Sequence, residues 1–216
     1  MGEQTPELFW DTCVFCAHLY DEVDQYGEVI DHIRQYIREA RAGKWRIITS
    51  SIVFAELAFS KVKRDAPGTM EDLRRDIEAA CLLIDPNPNI MMLAGKLRDI
   101  PYRKHQSRVR RLTVPDAVML ATALFVQEHY LQNLRAFHTF DAGGKKREVP
   151  LIGYEEWLDG LSDEQLTVAR RAANLRRERP FHPTPDLLDI RATPALGRPD
   201  VSGNVSAFPA PSSKAR

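Results

Sequence analysis

Leu8-Phe9-Trp10-Asp11-Thr12-Cys13-Val14-Phe15 is an apolar run interrupted by a single aspartate. Such a run reads as a strand buried on both faces, as in a parallel sheet, with Asp11 at its carboxyl end. An ionisable group in that setting demands a physical reason, because buried carboxylates are rare unless paired or metal-bound. Working outward, Val29, Ile30, Ile33, Ile37 and Ala40 recur at helical spacing and predict an amphipathic helix over 25–42 that stops near Gly43. RIITS (46–50) reads as a second strand, and SIVFAELAFSK (51–61) as a helix capped by Ser50 or Ser51.

Thr69 and Asp72 have capping-box spacing ahead of Leu73, Ile77 and Ala80, which predicts a helix over 69–84 ended by the DPNPN at 85–89. A further helix is expected over 89–100. The apolar stretch from Pro115 to His129 reads as a buried helix with proline in its first turn, and RAFHTFD (135–141) as a strand ending in Asp141. Strands alternating with helices, joined by connections long enough for crossovers, predict an α/β fold: a three-layer α/β/α sandwich with a mainly parallel sheet over 7–155. Ser162 and Gln165 have capping-box spacing at the head of a last helix, so 156–180 reads as a C-terminal helical extension. Residues 181–216 are rich in proline and poor in large apolar groups, which predicts a disordered or loosely docked tail.

The chain has 216 residues, 44% of them hydrophobic and 28% charged, in the ordinary range for a globular protein. Thirty basic residues balance thirty acidic ones, so net charge gives no argument for a polyanionic partner, and any nucleic-acid surface must come from local segregation. The N-terminal residues lack the pattern of a secretory signal, and Ala117 to Val126 is too short to span a bilayer; a cytoplasmic protein with no membrane partner is expected. Three cysteines are too few for a disulfide framework. Cys13 and Cys16 form a CxxC, which without further ligands at zinc spacing reads as small buried hydrophobes in the first strand and the turn after it.

Four carboxylates fall in apolar elements. Asp11 and Asp141 stand at the ends of strands, where parallel sheets bind their ligands; Asp116 sits in the first turn of an apolar helix, and Glu56 interrupts IVFAELAF. Each alone has a plain structural use as a cap, a turn residue or a solvated edge. Together they predict a cluster that repels itself when ionised and is stabilised by a hard divalent cation. Oxygen-only ligands favour Mg²⁺ or Mn²⁺ over zinc. Such an ion lowers the pKa of a bound water and stabilises charge on a phosphodiester.

Asp11-Thr12-Cys13-Val14-Phe15 resembles the opening motif of the PIN-domain nuclease family. Ser51 to Leu57 is similar to its second motif, Thr113 to Ala117 with Leu120 to Ala123 to its third, and Thr139-Phe140-Asp141 to its fourth. The resemblance covers about 8–155 and implies a metal-dependent endoribonuclease that uses Asp11, Glu56, Asp116 and Asp141 both as catalytic residues and as metal ligands, and that leaves a 5′-phosphate. Thr12 and Thr139 become polar supports of that site. Many bacterial members are VapC-type toxins silenced by an antitoxin protein, so an antitoxin and a homodimer join RNA among the partners the resemblance implies. This chain differs from them in carrying Cys13 where they often have Asn and in continuing well past the fourth motif.

YRKHQSRVRR (102–111) carries Arg103, Lys104, Arg108, Arg110 and Arg111 with no acid, and Lys145 and Lys146 follow the fourth motif; both segments are candidates for RNA binding through phosphate contacts. Arg170, Arg171, Arg176, Arg177 and Arg179 read as the solvated face of the last helix. Two other functions fit the same pattern: a non-catalytic PIN-like module that binds RNA or protein, and a PIN-type nuclease directed at DNA.

Overall fold

The structure is a computed structural model, describing residues 5–63, 68–130, 134–143 and 148–183. Five strands, β1 (Glu7–Trp10), β2 (Arg46–Ser50), β3 (Cys81–Ile84), β4 (Leu134–His138) and β5 (Arg177–Glu178), form one sheet in the order β3-β2-β1-β4-β5. Every pairing is parallel. The central strands are buried on both faces, as their apolar sequences require: Leu8, Phe9, Trp10, Ile47, Ile48, Ala136 and Phe137 are all buried. Phe9 and Phe137 stack across the β1–β4 pair with ring centroids 5.1 Å apart.

The order of strands dictates the layers. The chain steps from β1 to β2 to β3 in one direction, then crosses back to β4 and β5 on the other side of β1. Because parallel crossovers are right-handed, this reversal puts the two sets of helices on opposite faces of the sheet. α1 (Thr12–Leu19), α3 (Val29–Arg41) and α5 (Met70–Glu78) line one shared cavity beside the first three strands. α6 (Pro88–Asp99), α7 (Val114–His129) and α8 (Asp163–Ala173) pack on one another in the second set. The result is the expected three-layer α/β/α sandwich.

Local chemistry explains most element ends. Thr69, Asn87, Thr113 and Ser162 cap α5, α6, α7 and α8, each accepting a hydrogen bond from a backbone N–H three residues on. α7 is buried continuously from Ala117 to Leu124, which is why its sequence is apolar all round and not on one stripe. Among the described residues no helix is long and apolar enough to cross a membrane.

Several elements differ from the sequence expectation. The first strand ends at Trp10; Thr12 to Leu19 is helix, so Cys13 and Cys16 lie one helical turn apart in α1 and not in a strand and turn. The helix expected over 25–42 is divided into α2 (Val23–Tyr26) and α3, with Gly27 between them at φ 54°, a conformation that favours glycine. Ser51 to Lys61 holds only the short helix α4 (Val53–Glu56), with no side-chain cap, and a 3₁₀ turn at Phe59–Lys61. The Ala58 N–H leaves the helical ladder to donate to the Tyr20 hydroxyl at 2.6 Å, a tertiary bond that sequence periodicity cannot register.

The apolar rhythm of α5 runs on into Cys81-Leu82-Leu83-Ile84, which is the edge strand β3 and not a helix end. The segment set apart as a C-terminal extension is tied into the same sheet through β5, whose two charged residues carry no strand pattern. Arg177, read as a solvated arginine, lies in that strand with its side chain only 3% exposed. Its guanidinium lies 4.9 Å from the Tyr154 ring and donates to Glu155 at 2.9 Å.

The compact unit runs to Pro183, and the tail expected from 181 begins three residues too early. His182 is buried, with Nε2 2.8 Å from Glu39 Oε2, and Tyr36 donates to the Phe181 carbonyl at 3.1 Å. Residues 184–216 lie outside the described residues. A chain ended after Pro183 is expected to melt with the full-length protein. One ended after Arg179 loses three partly buried hydrogen bonds and an apolar contact, about 4 kcal/mol together, and should melt lower by roughly 8–16 °C. Thermal melts of the three chains decide this, and equal melting temperatures for both truncations would refute the docking of Phe181 and His182.

Candidate functional site

The strand order reverses between β1 and β4, and an open parallel sheet binds its ligands at such a switch point, outside the carboxyl ends of the strands. There the chain opens a cleft of about 620 Å³. Asp11, Glu56, Asp116 and Asp141 all line it, with Thr12, Cys13 and Thr113. A fifth carboxylate, Glu148, lines it too, from the sequence after the fourth motif, where nothing in its charged and irregular surroundings marked it.

Asp11 follows β1 directly and caps α1, its Oδ1 accepting from the Thr12 N–H at 2.8 Å. Its other oxygen, Oδ2, accepts from Thr139 Oγ1 at 2.7 Å and from Cys13 Sγ at 2.9 Å. Thr139 follows β4, so both strand ends meet on one carboxylate. Cys13 is fixed in turn by the Phe140 N–H, which donates to its sulfur at 3.1 Å. Cys13 is therefore a contact of the central acid and not the inert filler its sequence suggested.

The other acids are also held. Thr12 Oγ1 donates to Glu56 Oε2 at 2.6 Å, which brings the exposed end of α4 to α1. Thr113 Oγ1 donates to Asp116 Oδ2 at 2.5 Å, and the Asp116 N–H returns a bond to the same hydroxyl at 3.2 Å. Asp141 accepts from the Gly143 N–H and the Leu151 N–H, both at 3.1 Å, so it serves the turn that was its alternative explanation while still lining the cleft.

Burial dominates the electrostatics of the cluster. Asp11 is 5% exposed, and its pKa is pushed from 3.8 up to about 7, first by loss of hydration and further by the negative charges of Asp116 and Glu56. Its hydrogen bonds to Cys13 and Thr139 and its place at a helix N-terminus oppose the shift without overcoming it. Asp116 is raised as well, by burial and then by Asp141 and Glu148. Burial and the adjacent Asp11 charge push the Cys13 thiol far up, so it remains a protonated donor.

Among the described residues no three or more His, Cys, Asp or Glu side chains are placed together so that they could hold a metal ion. The donor set nevertheless fits a hard cation that keeps most of its own water: oxygen ligands from separate elements, mutual repulsion, and a central carboxylate poorly ionised without a counter-charge.

The basic segment 102–111 has a different place. None of its residues lines the cleft. Lys104 is paired with Glu156. The Arg110 guanidinium lies 4.2 Å over the Trp157 ring and donates to the Glu148 carbonyl at 3.0 Å. Arg111 donates to the Asp99 carbonyl at 2.9 Å and to its carboxylate at 3.2 Å. Arg103 and Arg108 are exposed. Lys145 and Lys146 lie outside the described residues.

No family model, no curated protein and no solved structure matches this chain.

The raised pKa of Asp11 makes stability depend on pH in a defined sense. The unfolded chain releases this proton near pH 3.8 and the folded one near 7, so between those values the folded state holds the extra proton. Stability from this group therefore falls as pH rises through that window and stays low above it, by on the order of 4 kcal/mol without metal. Asp11→Asn removes the charge, although the Thr139 and Cys13 donors then face an amide N–H and return part of the gain. In EDTA at pH 8 the variant should melt above the wild type, and the difference should shrink towards pH 5. A difference that does not vary with pH would mean that Asp11 is ionised throughout.

Proposed function

We propose that the protein is a metal-dependent endoribonuclease of PIN type, using Mg²⁺ or Mn²⁺. The observation that carries this reading is the convergence of Asp11, Glu56, Asp116 and Asp141 in one cleft at the switch point of a parallel sheet. The four come from four separated stretches of sequence. Their motif-by-motif resemblance to that family supplies the reaction class.

These four carboxylates would hold the cation, which when bound supplies an activated water and stabilises charge developing on the phosphodiester. The chain's own contribution is orientation. Thr139 and Cys13 aim Oδ2 of Asp11, Thr12 aims Glu56, Thr113 aims Asp116, and backbone N–H groups of Gly143 and Leu151 aim Asp141. Carboxylates held in this way need little rearrangement when a phosphate enters. Hydrolysis by water does not require the 2′-hydroxyl, and with the 3′-oxygen as leaving group, as the resemblance implies, it leaves a 5′-phosphate and a 3′-hydroxyl.

A second reading, a module that binds RNA without cutting it, draws on the engagement of Asp141, both of whose oxygens already accept backbone bonds.

The two readings separate in one experiment, in which single-stranded RNA is incubated with the protein in Mg²⁺, in Mn²⁺ and in EDTA. Cleavage is expected in both metals and absent in EDTA, with 5′-phosphate ends on the products. Asp11→Asn and Asp116→Asn should each lower the rate by at least roughly 100-fold. RNA that binds but survives in both metals would favour the binding module, and cyclic phosphate ends would rule out attack by water.

A further inference from the structure

Beside the acids, the cleft is lined by two aromatic rings that the reaction does not use. Tyr26 and Phe140 stack with centroids 4.1 Å apart and planes at 28°. They come from distant parts of the chain. Tyr26 ends α2 immediately before the turn at Gly27, and its hydroxyl accepts from the Gln25 amide at 2.9 Å. Phe140 stands between Thr139 and Asp141, and its N–H holds Cys13. Where Phe9 and Phe137 stack in the core with no exposure, Tyr26 and Phe140 are only half-buried, at the wall of a charged cleft.

A cation stands close by. The parallel register pairs Phe137 with Arg177 and His138 with Glu178, and the Thr139 N–H donates to the Glu178 carbonyl at 3.0 Å. The next residue, Arg179, therefore lies alongside Thr139, one position before Phe140. Its side chain is exposed. Its charge is felt at the Tyr26 phenol, where it opposes the rise in pKa that burial imposes.

We infer that Tyr26, Phe140 and Arg179 form a nucleotide subsite flanking the acidic cleft, in which an unpaired base stacks on the aromatic shelf and an adjacent phosphate pairs with Arg179. Carboxylates repel a strand wherever the bound cation does not neutralise them, so a contact that is not electrostatic, together with a local guanidinium, would strengthen its hold beside the cleft. Base stacking on an aromatic face supplies the first and Arg179 the second. A base inside a duplex has both faces covered, so the subsite selects single-stranded or looped nucleic acid. It also gives a use to an arginine that the sequence placed on a solvated helix. The inference rests on reading the cleft as a nucleic-acid site.

The test uses the full-length protein in Ca²⁺, to suppress cleavage, and a short single-stranded RNA carrying 2-aminopurine, whose fluorescence is quenched by stacking. Quenching on binding is expected. Tyr26→Leu should weaken binding roughly 5- to 100-fold, in the range of one lost base stack, and Arg179→Gln should weaken it with a reduced salt dependence. An abasic site in place of the 2-aminopurine should weaken binding to the wild type about as much as Tyr26→Leu does, a comparison that needs no change to the protein. Absent quenching, or affinities that neither variant nor the abasic RNA alters, would overturn the subsite. Cleavage in Mg²⁺ is read separately: RNA that is bound and quenched but never cut leaves the subsite standing and removes the nuclease reading.

Discussion

The structure depends on one carboxylate set where two strands end side by side. Asp11 closes β1, starts α1 through the Thr12 N–H and accepts from Thr139 at the end of β4, so its carboxylate ties the halves of the sheet together at the point where strand order reverses. Its place is expensive, because burial, with the charges of Asp116 and Glu56 adding to it, raises its pKa from 3.8 to about 7. A fold that only needed a helix cap there could use serine or asparagine without this penalty. Under the proposed function a cation bound in the cleft would offset that penalty.

Much of this was legible in the sequence because the physics is local. Aspartate in an apolar run, threonine three residues ahead of Asp116, and the continuous apolar face of 115–129 are signals carried by adjacent residues. The strand RIITS and the caps at Thr69 and Ser162 coincide with the structure for the same reason. What escaped was set by partners distant in the chain. α4 is cut short by the Tyr20 hydroxyl, β3 continues the rhythm of the preceding helix, and β5 has only two charged residues whose strand character comes wholly from pairing with β4.

The site divides in the same way. The four acids were visible because each is anomalous in its own surroundings, whereas Glu148 and Arg179 are ordinary charged residues in polar segments and gain meaning only from what faces them. Cys13 was misjudged for the opposite reason, since a cysteine among apolar residues is normally filler, and only the distance to Asp11 reveals a donor. Charge runs were the least informative. In 102–111, Arg110 and Arg111 bond to backbone carbonyls of the fold, which a count of basic residues cannot distinguish from a surface awaiting phosphate.

The double duty of Asp11, as central acid of the cleft and as cap of α1, also limits how such a protein can change over generations. Replacement by alanine would forfeit the chemistry and the cap together, and about 1 kcal/mol of helix stability with it. Asparagine or serine forfeits only the chemistry, keeps an oxygen for the Thr12 N–H and relieves the buried charge. If the proposed nuclease activity were abandoned, descendants would be drawn towards those two residues at position 11. An inactive lineage would remain well folded and outwardly familiar, its retirement written in a single side-chain atom.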